Sequence, residues 1–289
     1  MNKQTIWFII NPTSGGRKKH KNIFQLIDNQ LDKQIYTYQI FYTEYAGHAT
    51  EIAQQAVDNT IPIVVAVGGD GTVNEIGKVL INTKTTLGII PIGSGNGLAR
   101  DLRIPLRASQ AILSLNTPVK KQIDVGYLNE IPFFCTAGIG FDAHCAEVFS
   151  RKPERGFWNY IKVGLTEFWK FKPLKCVFAG LEYEVFSITF GNASQFGNNA
   201  YITPMAVIDD GFIDCTIINP PTVRQALRIV SLLFSGNIYS SELSENYRST
   251  KFNLQNNDDL LVHYDGEPLV LNCNELTISI LEKGLTVMI

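Results

Sequence analysis

The chain has 289 residues, enough for one large domain or two of ordinary size. It is 45% hydrophobic and 18% charged, so it can bury substantial cores, and its net charge of −2 argues against a general nucleic-acid binder. Five scattered cysteines, Cys135, Cys145, Cys176, Cys215 and Cys273, include no CxxC pair; they read as reduced thiols of a cytoplasmic protein and exclude a disulfide framework or a zinc site. The apolar start TIWFII (5–10) is too short for a secretory signal and runs straight into Asn-Pro. The longest helical apolar stretch, 223–234, falls short of a membrane span, so any contact with a membrane is expected at its surface.

The first 120 residues alternate strand and helix patterns. TIWFIIN (5–11) predicts a strand, and Ile23, Phe24, Ile27 and Leu31 follow at helical spacing. IYTYQIFYT (35–43) predicts a second strand, and Ala49, Ile52, Ala53, Ala56 and Val57 form a helical stripe. IPIVVAV (61–67) is apolar on both faces, as buried parallel strands are. After its glycines, Thr72 and Glu75 have capping-box spacing ahead of a helix with Val73, Ile76, Val79 and Leu80 on its apolar face. TLGIIPI (86–92) is the next strand, and the β-α-β-α-β-α-β order implies a mostly parallel sheet covered by helices. From about residue 122 the pattern changes. QIDVGYL and IPFFCTA flank an Asn129-Glu130 turn as a hairpin. YEVFSITFGN, FIDCTIIN, LLVHYD, ELTISIL and LTVMI are further strands, with 223–234 the one convincing helix. The expected domains are 1–122, an α/β unit, and 123–279, mainly antiparallel, with a tail from about 280 to 289 returning to the first.

Three loops follow predicted strands and precede predicted helices. In GGDGTVNE (68–75) the bare backbone of Gly68, Gly69 and Gly71 and the N–H groups of a helix start suit a phosphate at the carboxyl edge of the sheet. A tight Asp-Gly turn with a capping threonine is the alternative. PIGSGNGLAR (91–100) repeats the pattern, with Ser94 and Asn96 as short polar groups, and matches neither a Walker A sequence nor a GxSxG elbow. NPTSGG (11–16) leads into Arg17, Lys18 and Lys19, which either neutralise phosphate or solvate a helix start. Two glycine loops on neighbouring strands together suit a triphosphate.

These motifs resemble the diacylglycerol kinase catalytic family, which includes bacterial lipid kinases, diacylglycerol kinases and sphingosine kinases. NPTSGG, Thr43 ahead of GHA (47–49), GGDGTVNE and PIGSGNGLAR come in the family's order. GIGFDA (138–143), Asp209-Asp210-Gly211 and YDGE (264–267) agree with it, so the resemblance runs from residue 11 to residue 267. It implies an NAD-kinase-like α/β N-terminal domain with a C-terminal β-sandwich and the active site in the cleft between them. It also implies ATP as phosphate donor, Mg²⁺, and a diacylglycerol-like lipid whose hydroxyl is phosphorylated. A sphingoid-base acceptor is the alternative, and NAD kinase, which shares GGDGT, a weaker one. By position, nucleotide contacts fall on Asn11, Pro12, Thr13, Ser14, Gly15, Thr43, Gly68, Gly69, Asp70, Gly71, Thr72, Val73, Asn74 and Ser94. Active-site carboxylates fall on Asp265 and Glu267, and a magnesium site falls in the loop 206–212 on the Asp210 carboxylate and the carbonyls of Val207 and Phe212. Gly97 stands where many members carry an aspartate, as sphingosine kinases also place a small residue there.

The residues have chemical work independent of the resemblance. Phosphoryl transfer needs in-line placement, charge neutralisation and a proton acceptor. Asp70 is placed to hold Mg²⁺, Glu267 or Asp265 to take the hydroxyl proton, and Asp124 either completes the acidic cluster or forms a strand-edge turn. The segment 151–175 carries seven Lys/Arg against two Glu, with Trp158 and Trp169, and suits an anionic lipid surface; a helix with its aromatics packed inward would look similar. The expected partners are therefore ATP and a lipid at the inner face of a membrane, with no nucleic acid and a homodimer left open.

Overall fold

The computed structural model describes residues 3–15, 22–152, 157–256 and 259–289. The chain forms two compact units, Met1–Ile123 with Lys283–Ile289, and Asp124–Glu282.

In the first unit, strands β1 (Gln4–Ile10), β2 (Tyr36–Tyr42), β3 (Ile63–Gly68) and β4 (Thr86–Pro91) pair in parallel in the order β2-β1-β3-β4. Every residue of β3 and β4 is buried, which is why IVVAVG reads as an unbroken apolar run, while the edge strand β2 is largely half-exposed or exposed. Burying each Ile or Val side chain contributes about 1.5–3 kcal/mol. Helices α1 (Ile23–Gln30), α2 (His48–Asp58), α3 (Asp70–Leu80), α4 (Gly97–Asp101) and α5 (Ala108–Ser114) complete the unit, α2 packing on α3 and α1 on α5. The strand order reverses between β1 and β3: one crossover runs outward to β2, the next returns to the other side. The carboxyl ends of β1 and β3 thus flank a topological switch point, where open α/β sheets bind ligands.

Helix α3 starts one turn earlier than the capping-box spacing predicts. Gly69 is its N-cap and Asp70 its first residue, so Thr72 lies inside the first turn, buried, and forms no box with Glu75. The strand enters the helix with no spare residue, and the Thr72 hydroxyl instead accepts a hydrogen bond from the Asn11 side-chain amide at 3.2 Å.

The second unit is built from two antiparallel sheets. One has the order β12-β11-β10-β7-β14-β15, from β7 (Thr136–Gly140), β10 (Ser187–Gly191), β11 (Ile213–Ile218), β12 (Ser244–Ser249), β14 (Leu260–Tyr264) and β15 (Glu267–Leu271). The other joins β8 (Leu174–Phe178), β9 (Leu181–Val185), β13 (Lys251–Gln255) and β16 (Glu275–Met288), with β5 (Lys120–Leu128) and β6 (Ile131–Phe133) hydrogen-bonded as the expected hairpin. Inward side chains of both sheets, among them Phe133, Phe178, Phe190, Phe252 and Ile139, meet in one core, which makes the unit a β-sandwich.

Three sequence expectations change here. IPFFCTA is two strands, because the N–H groups of Phe134 and Cys135 leave the ladder to bind the Asp265 carboxylate. ELTISIL and LTVMI are one 14-residue strand that absorbs its Lys-Gly interruption with Lys283 at φ 52°. And α8 (Val223–Ser235) is not alone: α6 (Phe141–Ser150) and α7 (Phe157–Glu167) precede it. The buried face of α6 is Asp142, Ala143, Cys145 and Ala146, small or polar residues that give almost no apolar period.

Candidate active site

The first glycine loops are packing devices before they are anything else. The Asp70 carboxylate, at the start of α3, accepts the backbone N–H groups of Asn96 at 2.8 Å and Gly97 at 2.6 Å, clasping the loop after β4 to the loop after β3. The Gly68 carbonyl accepts the N–H of Ile92 at 2.9 Å and of Gly93 at 3.3 Å. A Cβ at Gly93 would lie 2.5 Å from the Gly69 Cα, and one at Gly95 would lie 2.6 Å from the Asp70 Oδ2. One at Gly68 would lie 2.4 Å from the Thr72 hydroxyl. These positions are bare because another part of the protein fills the space.

The loop after β1 joins the same place. Asn11 donates its backbone N–H to the Val67 carbonyl at 3.0 Å, and its side-chain oxygen accepts the Thr13 N–H at 3.0 Å and hydroxyl at 2.8 Å. Thr43, buried at the end of β2, donates its N–H to the Ile10 carbonyl at 2.9 Å. Asn11, Pro12, Thr13, Ser14, Gly15, Thr43 and 68–74 therefore cluster at the carboxyl ends of β1, β2 and β3, with Ser94 on the loop after β4. Gly16, Arg17, Lys18 and Lys19 lie outside the described residues. The eleven-residue α3 presents its N-terminus here, a favourable site for an anion.

In the second unit the carboxylates separate into different jobs. Asp265, at φ 47° in the β14–β15 turn, accepts the N–H groups of Phe134 at 2.9 Å, Cys135 at 2.7 Å and Thr136 at 3.2 Å. Three donors stabilise its charge and hold it in place, so it anchors the turn that presents Glu267, which is exposed at the first position of β15. Asp124 is no strand-edge turn: it lies within β5, 1% exposed, and accepts the Gly211 N–H at 2.7 Å. Asn192, fully buried, was not singled out by the sequence; its side-chain amide donates to the carbonyls of Asp124 and Phe134, both at 2.9 Å. One hydrogen-bonded chain thus links the loop at Gly211, Asp124, Asn192, the segment 134–136 and Asp265.

In the loop 206–212 the carboxylate of the expected magnesium site has protein partners. The Asp210 carboxylate accepts the Phe212 N–H at 3.1 Å and is paired with the Arg248 guanidinium, which also reaches Asp214 at 3.7 Å and sits over the Phe212 ring at 5.2 Å. The Ile208 carbonyl is taken by the Asp124 N–H. Among the described residues no group of three His, Cys, Asp or Glu side chains is placed to hold a metal. Arg248 thus sits on the one carboxylate of the expected magnesium site. Burial pushes the Asp214 carboxyl up from its ordinary value, against the pull of Arg248 and with help from Asp210.

The motif GIGFDA encodes a second unforeseen cluster. The Asp142 carboxylate accepts the Thr189 hydroxyl at 2.7 Å and lies 3.1 Å from the His263 Nε2, all three buried. A Cβ at Gly138 would crowd both Asp142 and His263. No sequence signal pairs residues 121 positions apart.

A parallel α/β unit with clasped glycine loops at its switch point, followed by an antiparallel sandwich, defines an NAD-kinase-like fold. The diacylglycerol kinase catalytic domain matches residues 5–128, and the YegS C-terminal NAD kinase beta sandwich-like domain matches residues 135–288. The chain is 26% identical over 277 residues to a diacylglycerol kinase of Bacillus subtilis, covering 90% of this chain and 88% of that protein. It is 29% identical over 262 residues to an uncharacterized Synechocystis protein, covering 82% of this chain but 58% of that longer protein. A crystal structure of a diacylglycerol kinase from Bacillus anthracis shares the fold, with a TM-score of 0.69 at 19% identity, covering 99% of this chain and 97% of that one. The chain belongs to the diacylglycerol kinase catalytic-domain family of lipid kinases.

Proposed function

We propose that the protein transfers the terminal phosphoryl group of MgATP to a hydroxyl of a diacylglycerol-like lipid. The observation that carries this reading is the Asp70 clasp, which holds two glycine loops side by side at the switch point, beside the N-terminus of α3. Backbone N–H groups there, with Asn11, Thr13, Ser14 and Thr43, bind the phosphates; magnesium arrives with the nucleotide as part of the substrate and neutralises phosphate charge. Glu267, exposed and presented by the turn that Asp265 anchors, accepts the acceptor hydroxyl's proton as the new O–P bond forms and ADP departs. Asp124 supports this arrangement through its backbone and the Gly211 N–H rather than by touching substrate.

The names of the relatives support a lipid acceptor, and diacylglycerol is the reading closest to them. The test is transfer of labelled terminal phosphate from ATP to diacylglycerol, to a sphingoid base and to NAD in parallel. Label in the diacylglycerol product is expected. Label confined to NAD, or absent from every acceptor while ATP still binds, overturns the proposal.

A further inference from the structure

We propose that Tyr45, backed by His48, is a stacking platform for the base of the nucleotide, and so the residue that distinguishes ATP from a bare triphosphate. The loop after β2 runs from Thr43 to Gly47 and enters α2. Tyr45 and His48 lie face to face there, with ring centroids 4.6 Å apart and planes 4° from parallel. The pair is fixed at its edges. The Tyr45 hydroxyl donates to the Glu51 carboxylate at 2.8 Å, and the His48 Nδ1 accepts the Glu44 N–H at 3.1 Å. Gly47, the N-cap of α2 at φ 88°, makes the turn between the two rings, and a Cβ there would meet nothing within 4 Å. Unlike Gly93 and Gly95, it is bare for its backbone angle and not for a neighbour. Tyr45 nevertheless stays 55% exposed. A single exposed aromatic is ordinary. A ring held by stacking on one face and by a hydrogen bond at its tip presents its other face already in position, which lowers the ordering cost of a ligand.

Its place and charge select the occupant. Thr43, two residues earlier, is tied to the Ile10 carbonyl just ahead of the Asn11 loop, and the Thr50 hydroxyl of α2 donates to the Glu75 carbonyl of α3 at 3.2 Å. Along the carboxyl edge of the sheet, in the order β2-β1-β3, the platform follows β2, the Asn11–Gly15 loop follows β1 and the N-terminus of α3 follows β3. Two strand spacings, about 10 Å, separate the outer two. Phosphate belongs at the α3 end, where a helix N-terminus favours an anion. The Tyr45 end carries Glu44 and Glu51, and no Lys or Arg occurs between Lys33 and Lys78, so this stretch favours a neutral ring over the phosphate chain. A base stacked on Tyr45 leaves its phosphates to run towards the ends of β1 and β3.

This deepens the kinase reading, on which it rests for the identity of the ligand. The test is titration calorimetry of the full chain with MgATP and with magnesium tripolyphosphate, comparing wild type with Tyr45→Ala and Tyr45→Phe. Labelled-phosphate transfer to diacylglycerol is measured alongside, and melting curves verify folding. Wild type is expected to bind ATP at least about tenfold more tightly than tripolyphosphate. Tyr45→Ala is expected to lose about tenfold for ATP, as when an aromatic is removed from beneath a stacked base, and nothing for tripolyphosphate, with Tyr45→Phe close to wild type. Equal affinity of wild type for both ligands, unchanged ATP affinity in Tyr45→Ala, equal losses for both ligands in that variant, or a Tyr45→Phe variant as weak as Tyr45→Ala overturns the platform. If the base-dependent loss is found and no acceptor is labelled, the platform stands and the kinase reading falls. If lipid is labelled and Tyr45→Ala binds ATP as wild type does, the kinase reading stands and the platform falls.

Discussion

Replacing Asp70 by Ala removes the acceptor of two short hydrogen bonds, to the N–H groups of Asn96 and Gly97, and so tests whether one carboxylate holds the two glycine loops together. Hydrogen bonds to a charged group contribute about 1.5–3 kcal/mol each. Asp70 is half-buried, so water partly replaces it, and the low end of that range, about 3 kcal/mol for the pair, is expected. At roughly 3–4 °C per kcal/mol the melting temperature of the first unit should fall by about 10 °C. ATP affinity should fall with it, because the loop backbone is no longer pre-organised. Asp70→Asn keeps one acceptor oxygen and should lose about half as much. Gly95→Ala should resemble Asp70→Ala while leaving residue 70 itself unchanged, since its Cβ would lie 2.6 Å from the Asp70 Oδ2 and push the carboxylate out of the clasp. Thermal unfolding and titration calorimetry with ATP measure both effects. If Asp70→Ala melts within about 2 °C of wild type and binds ATP equally well, the clasp is not what organises the loops. A variant that stays stable and binds ATP but does not turn over would instead return Asp70 to a direct chemical role.

Three further outcomes are expected. Asp265→Ala strands the N–H groups of Phe134, Cys135 and Thr136 and should lower the stability of the sandwich by about 2–4 kcal/mol, whereas Glu267→Gln should leave melting unchanged and abolish turnover; equal melting of the two variants would contradict the division of labour. Arg248→Gln frees the Asp210 carboxylate, so magnesium should raise the melting temperature of that variant and not of wild type; a magnesium-dependent rise in wild type would show that the loop takes a cation despite Arg248. Burial pushes the Cys176 thiol up to about 11 and raises those of Cys145 and Cys215, and Cys135 is also buried, so at about pH 8 a thiol reagent should modify the less buried Cys273 first and the other four only on unfolding. Rapid loss of several thiols from the folded protein would refute that order.

Much of the first unit was legible because its information is local. Val64, Val65, Ala66 and Val67 are buried on both faces of a central strand, and the helical stripe from Ala49 to Ala56 is buried as its spacing predicts. Helix α6 was hidden because it buries an aspartate, a cysteine and two alanines, a face that is polar or small until Thr189 and His263 are brought to it.

By itself the sequence determined the alternation of strands and helices, the places where the backbone had to be bare, the change to antiparallel strands, and through its ordered motifs the family. Tertiary structure decided what each charged or bare position does. Asp70 meets a loop 26 residues on, Asp210 an arginine 38 residues on, and Asp265 a segment 131 residues back. Local spacing encodes periodicity and turn freedom, but the partner of a carboxylate depends on chain closure over such distances. A glycine left open for a ligand and a glycine left open for a neighbouring loop look the same until the loop is in place.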